Sequence, residues 1–218
     1  MKRNLINYIG LFGVLSSLFY ILAVFISPFA YPGYDWMSQA VSDLSAQNAP
    51  SLKLWNLLSA PYGVLGLISL TTCCIFTQGK TNKILRSGIY LFTIMNYISF
   101  FGYTYFPLTE SGLANTFQDT MHLVVTGFVL ALSVISLVLL MIGGYRKKSY
   151  ISLAIAASIC LVFMMTSSIS LVVPKSIFGI VERLSTLSAT IFTGVIGIYL
   201  LFGFNKYSQN NLLTNKNK

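Results

Sequence analysis

The sequence is poor in the residues that most enzyme chemistry needs. It has one histidine, His122, five acids and three cysteines in 218 residues. One histidine excludes a haem held by two, and it excludes the three-histidine zinc site of seven-helix membrane hydrolases. No lysine lies inside a long apolar run, so a retinal-type Schiff base has no anchor. Cys73, Cys74 and Cys160 all fall in apolar stretches. Without a CxxC pattern or a disulfide framework they read as small packing residues. No phosphate-binding glycine loop, GxSxG elbow or HExxH helix occurs. No metal and no cofactor is expected. Charged residues make up only 9% of the chain, against roughly a quarter in an ordinary soluble domain. Such a chain cannot cover a soluble surface.

What the sequence does have is apolar length. Hydrophobic residues are 55% of the chain, and crossing a bilayer core of about 30 Å takes about 20 of them in a helix. Six stretches qualify: 8–26, 54–77, 84–106, 117–142, 150–172 and 182–204. Lys2 and Arg3 precede the first, as in a signal peptide, but the run is too long and no small-residue cleavage site follows it. Pro28 and Pro32 follow the first stretch, Pro107 the third and Pro174 the fifth. Pro61 lies early in the second, where a kink is expected. The expected fold is all-α: an integral membrane bundle of six transmembrane helices, one domain over 1–204. A tail at 205–218, rich in Asn and Lys, is expected to be disordered. Ser152 with Ala156, Ala154 with Ser158, and Thr190 with Gly194 stand at helix spacing and mark faces of close approach.

The net charge of +9 forms no basic groove, so no nucleic-acid partner is expected; the positives sit in short clusters between apolar runs. Lys2, Arg3, Lys80, Lys83, Arg86, Arg146, Lys147, Lys148, Lys206, Lys216 and Lys218 fall on one side, leaving Lys53, Lys175 and Arg183 on the other. Positive loops stay inside, so both termini are expected in the cytoplasm of a cell-membrane protein. The acids segregate oppositely: Asp35, Asp43, Glu110, Asp119 and Glu182 all fall at outer ends or in outer loops.

That segregation suggests one polar site. Residues 29–50 form the longest run that cannot span. Within it, Trp36, Met37, Ala40, Val41 and Leu44 recur at helical spacing, so 35–45 is expected to be a short amphipathic helix in the outer interface, N-capped by Asp35. Asp119 and His122 stand three apart at the start of the fourth helix and share a face, with Thr126 one turn deeper. Glu182 and Arg183 open the sixth. Glu182 suits a helix N-terminus; Arg183 does not and needs an offsetting carboxylate, phosphate or water. Asn96, Ser99, Tyr103 and Tyr105 on the third helix, and Thr166, Ser167, Ser168 and Ser170 on the fifth, lie at similar depth.

The SDLSA stretch at 42–46, the DxxH of Asp119 and His122, and the GxxER ending at Arg183 resemble, in that order, a prokaryotic multi-pass membrane family known as domain of unknown function 998. The likeness covers roughly 9–204. The usual glycine after the SDL trio is Ser45 here. The resemblance implies a six-helix integral membrane protein and carries no assigned activity. The residues themselves suggest a membrane protein that binds or senses a lipid headgroup or amphiphile, with membrane lipids as partners, through Asp43, Ser42, Glu182 and Arg183. A second reading is an enzyme acting on a lipid-like substrate, with His122 and Asp119 as a catalytic acid–base pair. A third is a small proton-coupled transporter. Oligomeric state is left open.

Overall fold

Six apolar runs of this length give six main helices in the computed structural model, which describes residues 4–166 and 173–204. A single turn, Leu5–Tyr8, leads into α1, Gly10–Ile26. Then come α2, Leu52–Phe76, α3, Lys83–Tyr105, and α4, Phe117–Tyr145. The last two are α5, Ile151–Met164, and α6, Lys175–Leu201. No strand is present among the described residues. Five of the helices are long and apolar enough to cross a membrane; the run containing α5 is shorter over its described part, Lys148–Met164. The end expected at 167–172, the tail 205–218, and Ser167, Ser168 and Ser170 lie outside the described residues, as do Lys2 and Arg3.

The helices pack in a ring in chain order, closed by α6 against α1. That closure depends on small residues. A methyl group on Gly10 would overlap the Gly197 carbonyl, and one on Gly13 would press on Ser69 Oγ at 2.8 Å and the Thr193 carbonyl at 3.0 Å. Ser17 Oγ donates across the same crossing to the Thr190 carbonyl at 2.6 Å. Side chains this small let two backbones approach, which is how membrane helices gain packing energy without a hydrophobic drive. Gly194 meets Ser17 and Ala154 meets Gly144, as their spacing implied.

The bundle has two unlike halves. Toward the cation-rich end, Leu85, Ile89, Phe92, Leu137, Leu140, Leu153, Phe192 and Ile196 are fully buried in one apolar core. Phe92 and Phe192 meet edge to face at 5.3 Å. Its outermost members are Met95 on α3 and Met164 on α5. Beyond them, toward the acid-rich end, a second apolar cluster of Ala23, Val24, Val41, Leu44 and Trp55 carries Tyr20, Tyr34 and Leu187 packed against it, and polar groups gather around it.

Two expectations about that end are corrected. Residues 35–45 are not an amphipathic helix: they form turns and a 3₁₀ turn, Ser42–Ser45. The carbonyls a helix would pair internally go elsewhere. Those of Trp36 and Gln39 accept from Arg183 Nη1 at 2.6 and 2.9 Å. That of Met37 accepts the amide of Gly179 at 2.8 Å. The apolar residues divide as well: Val41 and Leu44 pack inward, while Trp36 and Met37 stay exposed. The last helix also begins about two turns earlier than expected, at Lys175 with Pro174 as its cap residue. Glu182 and Arg183 therefore sit well inside it, where the end-of-helix charge effect has faded.

Candidate functional site

Asp43, Asp119, His122, Glu182 and Arg183 lie toward one end of the bundle, and each bonds backbone rather than another of the five side chains. Asp119 is N3 of α4 and forms a reciprocal capping box with Thr116. Its Oδ1 accepts from the Thr109 amide at 2.8 Å, and its Oδ2 from the Ala114 amide at 2.9 Å and the Thr116 amide at 3.3 Å. Thr109 Oγ1 donates to both oxygens at 2.9 Å. One carboxylate thus shapes the whole outer loop between α3 and α4. That loop needs shaping, because Gly112, Leu113 and Asn115 have φ of 86°, 71° and 58°. A non-glycine residue in the left-handed region is strained by roughly 1–2 kcal/mol.

Asp43 ties that loop to the first one. Its Oδ1 accepts the Gly112 amide at 2.9 Å, its Oδ2 the Ala40 amide at 3.1 Å, and its carbonyl the Ser111 hydroxyl at 3.1 Å. Gln47 adds a backbone bond to Leu108 at 2.9 Å. Ser42 begins the 3₁₀ turn, and its carbonyl accepts from Ser45 Oγ at 2.9 Å, so this hydroxyl closes the turn. Asp35 Oδ1 accepts the Met37 amide at 3.0 Å, opening a turn rather than a helix. Ser38 Oγ donates to its Oδ2 at 2.6 Å, and this bond, with the Met37 amide, holds the Asp35 carboxyl below the ordinary range.

Arg183 is the pin of this cap. It is 6% exposed. Besides the Trp36 and Gln39 carbonyls, its Nη1 donates to the Gly179 carbonyl at 2.8 Å, and its Nη2 donates to Tyr34 Oη. Tyr34 passes a bond on, donating to the Ala40 carbonyl at 2.7 Å. Burial pushes the Tyr34 phenol up to about 12 against the pull of Arg183, so it stays a neutral donor at physiological pH. The charge offset expected for Arg183 is thus supplied by carbonyl dipoles and a phenol.

His122 and Glu182 are held differently. His122 Nδ1 meets the Phe106 carbonyl at 2.8 Å. The ring is oriented by that carbonyl rather than by Asp119. A carbonyl can only accept, so Nδ1 carries the proton and Nε2 is the basic nitrogen of the neutral ring. The ring lies against Tyr103, centroids 4.8 Å apart. Tyr103 Oη in turn pairs with Thr126 Oγ1 at 3.1 Å. Glu182 Oε2 accepts the Val41 amide at 3.1 Å, and its Oε1 accepts from Thr186 Oγ1 at 3.3 Å.

Beneath the cap lies a cluster of which sequence reasoning named only Tyr103 and Glu182. Tyr20 on α1 and Tyr62 on α2 approach to 4.6 Å between ring centroids. Tyr20 also meets Trp55 edge to face at 5.7 Å. Tyr20 and Tyr103 each lie within electrostatic reach of Tyr62 and Glu182. Tyr20, Tyr62, Tyr103 and Glu182 come from four different helices, and each is half-buried. The available signal was a phenol in the middle of the first apolar run and another directly after Pro61. Thr166 reaches α6 at the Val181 carbonyl, 3.0 Å away. Tyr105 points outward and takes no part. Among the described residues no three His, Cys, Asp or Glu side chains group as a metal site requires.

No curated protein and no solved structure matches the chain. A family described as "Protein of unknown function (DUF998)" matches residues 14–199. With an all-helical apolar bundle under a motif-built cap, and a match over most of its length, this chain belongs to the DUF998 family.

Proposed function

We propose that this protein sits in the cell membrane with the acid-rich cap outside and both termini in the cytoplasm, and that it binds the polar head of an amphiphile among the phenols under the cap. The loop charges support the orientation. The binding reading is supported by one observation: Tyr20, Tyr62, Tyr103 and Glu182, from four different helices, each keep part of their surface accessible beneath the cap. Polar groups inside an apolar bundle are expensive unless paired with something. In this reading Asp43, Ser42 and Arg183 hold the roof, while Glu182 and the phenols meet the ligand. The Arg183 guanidinium is already committed to four oxygens, so the site suits a head that donates hydrogen bonds, a hydroxyl or an ammonium, better than a bare phosphate.

The test is mass spectrometry of lipids that stay with the protein extracted in native nanodiscs. Glu182→Gln and Tyr62→Phe, checked for an unchanged melting temperature, should each lose a species that the wild type retains. An identical lipid complement in all three samples overturns the proposal. A second reading, acid–base turnover of the bound amphiphile, is favoured by His122 alone, whose Nε2 is left as a base beside Tyr103. His122→Gln would then leave binding intact and abolish product formation, and equal lipid products with either protein would remove it.

A further inference from the structure

The cation-rich end of the bundle has no counter-charge of its own. All five acids, Asp35, Asp43, Glu110, Asp119 and Glu182, belong to the cap end. The helices between the two ends are long: α2, with 25 residues, rises roughly 37 Å at about 1.5 Å per residue. That is several times the Debye length of about 8 Å at physiological salt. Cap carboxylates therefore do not neutralise the cations of the opposite loops, whose charge is met from outside the chain. The six cations there are not equivalent. Lys80 Nζ lies over the Phe76 ring at 3.5 Å, and Lys147 Nζ over the Tyr150 ring at 5.3 Å. Phe76 and Tyr150 both pack on the buried Phe204 ring, so these two ammoniums are drawn toward the interior of the bundle end.

Lys83 and Arg146 lie on the outer surface instead. Lys83 opens α3, and Ser87, Ile94 and Phe101 follow it on one exposed helix face. Phe128, Ile135 and Ile142 form the exposed stripe of α4, and Arg146, directly after the helix, extends that stripe one turn beyond Ile142. The two helices pack more extensively than any other pair, and at this end their backbones are locked. Asn82 Nδ2 donates to the Gly143 carbonyl at 2.7 Å while its Oδ1 accepts the Leu85 amide at 2.9 Å. A Cβ on Gly143 would overlap the Leu85 amide nitrogen. Lys83 is next to Asn82 and Arg146 is three residues past Gly143, so this one contact sets both cations at the same end of the same seam. Among the described residues neither has a hydrogen bond, ion pair or ring contact.

We propose that the cation-rich end of the α3–α4 seam binds an anionic phospholipid, its phosphate between Lys83 and Arg146 and its acyl chains along the exposed stripes that end in them. Charge complementarity selects the head: a guanidinium forks onto phosphate oxygens, and the ammonium adds a point charge. The stripes select a lipid over a soluble anion, because each runs from apolar side chains to its cation on one face. Clustered Lys and Arg at the membrane ends of helices attract anionic lipid in this way. The insertion rule accounts for cations on this side of the membrane. It does not account for two of them, free of partners, ending the lipid-facing stripes of one locked helix pair. The site lies at the opposite end from the tyrosine cluster and stands independently of the reading given to that cluster.

The test is native mass spectrometry of the full-length protein in a neutral detergent, titrated with phosphatidylglycerol or phosphatidylcholine. The first phosphatidylglycerol should bind about tenfold more tightly than phosphatidylcholine. Lys83→Gln and Arg146→Gln should each weaken it about fivefold, the effect of one cation beside an anionic head. Arg146→Lys should recover part of that loss. Lys147→Gln removes the same charge one residue away, from a side chain held over Tyr150, and should weaken binding less than twofold. Lys175→Gln, at the cap end, should leave it unchanged. All four positions are exposed, so the variants should melt with the wild type. Equal losses from Arg146→Gln and Lys147→Gln would mean diffuse attraction and overturn the site, as would equal affinity for the two lipids. Glycerol phosphate, a head without chains, should not displace the bound lipid at matched concentration. Displacement would overturn the lipid as occupant, because the stripes would then contribute nothing.

Discussion

At the scale of single residues, the polar groups divide by what they already hold. Arg183 holds three carbonyls, that of Gly179 buried, and a phenol. Arg183→Met should lower unfolding stability in detergent by about 1–3 kcal/mol, the cost of stranding one buried acceptor. Arg183→Lys should recover only part of the loss, since one ammonium cannot reproduce the planar fork. Thermal melts of the three proteins decide this, and equal melting temperatures would mean the pin bears no load. Asp35 gives a pH signature. Its folded carboxyl is held below the ordinary range by Ser38 and Met37, so its contribution is present above the unfolded value of about 4 and is lost as pH falls through the folded one. The protection factor of the Met37 amide, its exchange rate divided into the intrinsic rate at each pH, should therefore be flat from neutral pH down to about 4 and fall below it. Asp35→Asn should show the low protection throughout.

At the scale of elements, helix position was legible and loop conformation was not. Apolar run length fixed α1, α2, α3 and α4 to within about two residues at their starts, since a helix that must satisfy its backbone in lipid has few ways to end. The first outer loop misled because its apolar spacing matched a helix, while Arg183, far along the chain, offered its carbonyls a stronger donor. The start of α6 misled because Lys175 and Ser176 read as loop. The α1–α6 crossing is the element pair most exposed to a single change. Gly197→Leu should destabilise at the upper end of the roughly 1–3 kcal/mol that overpacking costs, because the obstruction is the Gly10 carbonyl rather than a side chain that can swing away. Gly127→Leu, where an added Cβ meets nothing within 4 Å, should be near neutral. Detergent melting curves compare the two directly.

At the scale of the whole molecule, the charge pattern becomes a direction. Cap carboxylates gather at one end, while Lys80, Lys83, Arg86, Arg146, Lys147 and Lys148 lie at the other. With the cap outside, Glu110→Cys should react with an impermeant maleimide on intact cells, and Gln78→Cys only after permeabilisation. Both positions are exposed in their loops. The reverse pattern would invert the proposed orientation and put the cap on the cytoplasmic side.

Composition, run length and loop charge determined by themselves that this chain is an apolar helical bundle with its acids at one end, because lipid demands long apolar helices and the insertion machinery counts cations. The motif residues Asp43, Asp119, His122, Glu182 and Arg183 were also visible, because ionisable groups are rare in such a chain. Their work was not visible: Asp119 serves the Thr109–Thr116 loop and Arg183 the Trp36–Gln39 loop through backbone atoms, which have no signature in sequence. The tyrosine cluster was hidden for a related reason. A tyrosine inside an apolar run reads the same whether it faces lipid or a neighbouring helix, and only the packing of α1, α2 and α3 brought Tyr20, Tyr62 and Tyr103 near one another.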